Sequence, residues 1–113
     1  MATISINSAN LAANTRTGNI IAGDPNEFLA YPALVNVYQV SSASGIRTSI
    51  YADTDVNTDD KEILAIGTSV DTSAHLVASF EVEAGTRLSV FLRETANVAT
   101  TDVLTLIDIQ PLQ

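Results

Sequence analysis

Two runs of alternating side chains on either side of Gly85 constrain the fold more than any other feature of the chain. In the first run, residues 75–83, every even position is apolar, and the same holds for residues 87–93. Neighbouring side chains of an extended strand point to opposite faces, so each run predicts a strand with one buried face. Gly85 marks the turn between them, which favours a β-hairpin.

The predicted register of this hairpin follows from the apolar rows. A three-residue loop centred on Gly85 pairs Val82 with Leu88 and Phe80 with Val90, which places both rows on one face. We expect Gly85 to adopt a positive φ next to a bulge.

The rest of the chain continues the β pattern, with 46% hydrophobic residues and no cysteine. The composition and the regular turn signals predict an all-β fold, an antiparallel β-sandwich of seven or eight strands that is jelly-roll-like. Further strands are predicted at Ile4–Ile6, Ala33–Ser42, Ile46–Ala52, Glu62–Val70 and Asp102–Leu112.

The last predicted strand is apolar on both faces. Val103, Ile107 and Ile109 lie on one face, and Leu104 and Leu106 on the other. The middle of this strand is therefore expected to be covered on both faces. The partner sheet covers one face, and the N-terminal segment or another subunit covers the other.

Residues 1–32 differ from the remainder, because asparagines and turn residues interrupt short apolar stretches. We interpret them as an extended N-terminal arm and residues 33–113 as the β-sandwich domain.

The net charge of −8 makes phosphate backbones and anionic membranes poor partners. Arg16, Arg47, Arg87 and Arg93 are predicted to be scattered, with no cluster and no interleaved aromatic residues, so no nucleic-acid footprint is expected. No basic N-terminal region or long apolar run resembles a signal peptide or a membrane span. No motif indicates an enzyme.

An acidic stretch after Ala52 is predicted to be a loop, and its alternating oxygens resemble the opening of an EF-hand calcium loop. Thr58 stands where that loop requires glycine, and Leu64 where it requires a bidentate acid. The candidate calcium ligands are Asp53, Asp55, Asn57, Asp59 and Glu62.

A protein-binding surface is the other candidate site. Phe91 is predicted on the wet face of its strand beside two arginines, a combination that is enriched at interfaces. The predicted interface residues are Ile4, Ile6, Arg16, Ile20, Phe28, Tyr31, Arg87, Phe91 and Arg93.

A polar arm from Ala2 to Pro32, a cysteine-free acidic β domain and the stretch Phe80–Val90 together resemble the capsid decoration (cement or head-stabilising) proteins of tailed bacteriophages. The resemblance implies a noncatalytic and often trimeric protein, made in the host cytoplasm, that binds the major capsid protein on the outside of the virion. It also implies that the arm orders against neighbouring subunits.

Two other functions remain open at this point. One is a small ligand- or carbohydrate-binding β-sandwich module, with calcium as a possible cofactor at the acidic stretch. The other is a tail, fibre or other virion subunit.

Overall fold

The computed structural model describes residues 2–63, 67, 69–70, 75–97 and 101–112. These residues form no helix. Among them there is therefore no helix that is long and apolar enough to cross a membrane. They form seven β-strands: β1 (Ala2–Leu11), β2 (Ala33–Ser41), β3 (Ile46–Ala52), β4 (Asp55–Glu62), β5 (Leu76–Val82), β6 (Leu88–Glu94) and β7 (Thr101–Pro111).

The strands build two antiparallel sheets that pack face to face, as predicted. Sheet one has the order β1-β7-β2-β5 and sheet two the order β4-β3-β6. The core between them is mainly aliphatic, and it also holds Gln39 and Thr105, whose side chains are buried and joined by a 3.1 Å hydrogen bond. Fully buried members include Val35, Val37, Ile50, Leu88, Val90, Ile107 and Ile109.

A stretch without regular strand geometry, residues 16–29, runs along the free side of β6; we call it the flanking segment. Isolated bridges join Arg16 to Arg93 and Phe28 to Arg87. With this segment counted in sheet two, the chain crosses between the sheets at every step except the β3–β4 hairpin. This connectivity is that of a jelly roll.

The predicted hairpin between β5 and β6 is wrong. β5 pairs with β2, where Val35 lies opposite Phe80, and β6 pairs with β3, where Ile50 lies opposite Val90. The two apolar rows therefore face each other across the core instead of lying side by side. Gly85 does adopt the expected positive φ of 86°, in the connection that crosses between the sheets.

The structure also differs from the predicted division at residue 32. β1 pairs with β7 from Ala2, opposite Ile109, to Ser8, opposite Val103, and forms an edge of sheet one. The residues interpreted as an arm thus lie within the sandwich, because the side chain of Ile4 completes the core.

The predicted faces of β7 are confirmed. Val103, Ile107 and Ile109 are fully buried in the sandwich, whereas Leu104 and Leu106 are half-buried on the outer face of sheet one.

The strand predicted at 62–70 differs from the structure. Glu62 ends β4, residues 64–66 and 68 lie outside the described residues, and Gly67 donates its N–H to the carbonyl oxygen of Ser41 at 3.1 Å.

Candidate functional site

The flanking segment is held against β6 by side-chain and backbone hydrogen bonds together. The N–H of Val90 donates to Asn19 Oδ1 at 2.9 Å, and the N–H of Leu92 donates to Thr17 Oγ1 at 3.0 Å. The backbone adds bonds in both directions, among them one from the N–H of Thr17 to the carbonyl oxygen of Leu92 at 2.8 Å and one from the N–H of Leu88 to that of Glu27 at 2.8 Å. Alternate β6 amides are thus satisfied without a regular neighbouring strand.

Glu27 is the main anchor of this segment and is only 5% exposed. Its carboxylate accepts hydrogen bonds from the N–H of Gly23 at 2.9 Å and from Arg87 Nε at 2.6 Å. These two donors, the backbone N–H first, lower the pKa of Glu27 below its ordinary value. The ion pair orients Arg87 on the outer face of sheet two.

The outer face of sheet two carries aromatic rings and guanidinium groups in contact. Tyr51 and Phe91 meet edge to face with ring centroids 5.6 Å apart. The guanidinium of Arg16 lies 5.0 Å from the centroid of Phe91, and that of Arg87 lies 5.7 Å from the centroid of Phe28. Both distances are typical of cation–π contacts.

A second ion-pair group borders the rings on the β4 side. Asp60 accepts from Arg93 Nε at 3.0 Å, and its carboxylate lies 3.2 Å from Arg47 Nε. These arginines, Arg93 first, lower the pKa of Asp60 below its ordinary value, and the pKa of Arg93 is raised in turn. Asp60 also donates its N–H to Ser49 Oγ at 3.0 Å, which fixes its position at the edge of the sheet.

The expectation that the arginines are scattered is therefore wrong. All four, at positions 16, 47, 87 and 93, contribute to one outer face and are interleaved with Phe28, Tyr51 and Phe91. The register of β3 against β6 and the path of the flanking segment bring them together, and neither is visible in the spacing of the residues. We call this set the arginine–aromatic face.

Two adjoining cavities open on the arginine–aromatic face and share Arg16, Tyr51 and Phe91 in their walls. The cavity toward Arg87 has a volume of about 410 Å³, and the one toward Asp60 about 310 Å³. The cavity toward Arg87 combines the rings of Tyr51 and Phe91 with the guanidinium groups of Arg16 and Arg87, which suits a partner that presents carboxylates beside apolar groups. The other cavity is also lined by two aspartates.

The predicted interface residues divide into two groups. The structure brings Arg16, Phe28, Arg87, Phe91 and Arg93 together on the arginine–aromatic face. The others lie elsewhere and pack against the core of their own chain: Ile4 is 2% exposed, and Ile6, Ile20 and Tyr31 are partly buried. The structure therefore does not bring these four side chains onto the arginine–aromatic face.

The acidic stretch is a strand and not the predicted loop. In β4 the side chains of Asp55, Asn57 and Asp59 extend from an exposed edge, whereas a calcium loop would curl them onto one point. Asp53 lies in the preceding turn, where its Oδ1 accepts from the N–H of Arg87 at 2.9 Å. Within the described part of the chain, no three acidic or histidine side chains converge into a metal-binding group, Glu62 included.

Sequence reasoning missed two buried carboxylates. Glu27 is one, and the other is Glu94, which is 1% exposed and accepts from the N–H groups of Asn14, Ala96 and Asn97 at 2.9–3.0 Å. Each carboxylate fixes a loop beside β6. The turn residues near Glu27 and Glu94 are the feature of the sequence that could have indicated their burial, because backbone N–H groups left unpaired in turns need acceptors.

Comparison of the chain with models of protein families, with curated proteins and with solved structures finds no match.

Proposed function

We propose that this chain is a noncatalytic structural protein that binds another protein through its arginine–aromatic face, and that it decorates and stabilises a viral capsid. The observation that carries the proposal is the convergence of all four arginines with Phe28, Tyr51 and Phe91 on one outer face of a chain of net charge −8.

The residue types on this face support a protein partner. Arginine, tyrosine and phenylalanine are enriched at protein interfaces, where they bury much area at little entropic cost. Phe28 is 60% exposed, although it is a large apolar side chain. The guanidinium of Arg16 forms no ion pair within the described residues, so its charge is available to an acidic group of the partner.

The charge pattern favours a protein over a nucleic acid. Arg47 and Arg93 share Asp60, and Arg87 is paired with Glu27, so three of the four guanidinium groups are already engaged with carboxylates, which offset two of the four positive charges. A phosphate backbone would need a net positive surface.

The capsid assignment draws on the resemblance to phage decoration proteins and on the jelly-roll connectivity, an architecture common in viral capsid domains. On a shell the partner would be the major capsid protein, and the site of action the outside of the virion. Many copies on one lattice would make individually modest contacts act together.

The direct test is co-sedimentation of the purified protein with empty shells of the major capsid protein encoded in the same genome. Wild-type protein should bind, and Arg16→Ala should weaken binding about tenfold, because a desolvated charged hydrogen bond is lost. Lys61→Ala is the matched control: it removes one cation whose Nζ donates to the carbonyl oxygen of Val77 away from this face.

Equal binding by the Arg16→Ala and Lys61→Ala variants would contradict the proposed face. Failure of the wild-type protein to bind the shells would contradict the capsid assignment.

A carbohydrate-binding module is the second candidate, and the smaller cavity favours it. Asp60, Arg93 and Ser49 offer hydrogen bonds there beside the rings of Tyr51 and Phe91, the combination that sugars require. Soluble oligosaccharides that raise the melting temperature of the wild-type protein, and not of a Tyr51→Ala variant, would favour this function.

A further inference from the structure

The edge of β1 that faces away from β7, which we call the free edge because no other described strand pairs with it, is unlike the other edges that the described residues form. Natural β-proteins protect their edges with charges, prolines or irregular pairing, because an unpaired row of N–H and C=O groups is a template for another strand. β4 carries four acids and a lysine and has two register shifts against β3. The flanking segment is irregular and contains Pro25.

β5 is protected as well, though less strongly. It is seven residues long, contains Glu81 and is followed by Glu83, and its pairing with β2 shifts between Val37 and Tyr38.

β1 has none of these protections over most of its length. Its ten residues include no charged side chain and no proline. Its pairing with β7 is regular from Ala2 to Ser8, and the only register shift lies beyond Ser8. Within the described residues, β7 is the sole strand paired with it.

We propose that the free edge of β1 pairs antiparallel with β1 of a second copy of this chain, so that sheet one continues across a two-fold axis. A strand that pairs with this edge must be extended, regular and uncharged. Among the edge strands that the structure describes, β1 itself meets these requirements. Self-pairing is isologous, so one strand supplies both sides.

Charge supports the same occupant. Two chains of net charge −8 repel each other, and contact through a strand without acids places no like charges opposite one another. The seven regularly paired residues from Ala2 to Ser8 match the usual length of a strand. The inference does not depend on the capsid assignment, so either can fail without the other.

The test is the solution mass by sedimentation equilibrium across a dilution series. Wild-type protein should be a dimer in equilibrium with monomer. A Ser5→Lys, Asn7→Lys double variant should dissociate at least about tenfold more readily, because the lysines of two copies would meet on one face. Both positions are exposed in the single chain. Ser44→Lys with Ala84→Lys adds the same charge at exposed positions away from β1 and should leave the dimer intact.

A second measurement uses the wild-type protein alone and does not depend on the variants folding. Amide hydrogen exchange of residues 2–8 should slow as the protein concentration rises, because the free edge becomes paired. A wild-type monomer at every concentration would overturn the proposal. So would a dimer or trimer that the β1 lysines leave unchanged, or exchange in residues 2–8 that is independent of concentration.

Discussion

β1 and the flanking segment are both part of the N-terminal 32 residues, yet they join the sandwich by different means. β1 pairs with β7 through a regular backbone register and inserts Ile4 into the core. The flanking segment follows β6 through scattered backbone bonds supplemented by side-chain oxygens of Thr17 and Asn19 and by the buried carboxylate of Glu27.

The difference shows how an irregular segment can position a binding surface. A regular strand fixes the direction of every side chain by its two-residue period. The flanking segment is free of that period, and it places Arg16 over Phe91 and Phe28 beneath Arg87. β1 therefore contributes stability, and the flanking segment contributes Arg16 and Phe28 to the arginine–aromatic face.

The largest effect is expected from Ile4→Ala in β1. Ile4 is 2% exposed, so its truncation should lower the free energy of unfolding by about 2–5 kcal/mol. Ile6→Ala, two residues further along and only partly buried, should cost roughly 1–2 kcal/mol. Urea unfolding measures both. Equal and small losses would show that β1 is not an integral part of the sandwich.

A smaller effect is expected from Glu27→Gln in the flanking segment. The amide keeps the shape of the side chain but loses the charge that holds Arg87 Nε and the N–H of Gly23. The melting temperature should fall by several degrees, while Glu83→Gln, at an exposed position, should leave it unchanged. Identical melting temperatures would contradict the anchoring role of Glu27.

The same pair of proteins should differ in pH dependence. Because the pKa of Glu27 is lowered in the folded state, its contribution is complete above the ordinary value of 4.5 and is lost as the pH falls through the lower, folded value. The gap in melting temperature between wild-type protein and Glu27→Gln should therefore close in acid. A gap that stays constant below pH 4.5 would show that the charge of Glu27 is not what stabilises the segment.

The smallest effect on stability is expected from Phe28→Ser. Phe28 is 60% exposed, so the free energy of unfolding should change by no more than about 0.5 kcal/mol. Shell binding should nevertheless weaken in the co-sedimentation assay, since the variant removes an exposed ring of the arginine–aromatic face. A large loss of stability would mean that Phe28 is part of the core.

Alternation was sufficient to predict the β-sandwich and the faces of β7, because burial on one side leaves a period of two in the sequence. It did not identify partners: Phe80 and Val90 share a buried side whether their strands pair or face each other across the core. β4 was mistaken for a loop because, as an exposed edge, it has no buried row.

The arginine–aromatic face was predictable only in part. Phe91 with Arg87 and Arg93 belongs to one strand face and was found by counting positions. The sequence also predicts Arg16 and Phe28 at an interface, but their position against β6 depends on irregular backbone and side-chain bonds of the flanking segment, which no spacing rule describes.

The most direct test of the binding face is an electron cryomicroscopy reconstruction of shells that carry this protein. We expect the outer face of sheet two, with Arg16 and Phe91 at its centre, to lie against the shell. A reconstruction in which the outer face of sheet one makes that contact, leaving Arg16 and Phe91 in solvent, would contradict it.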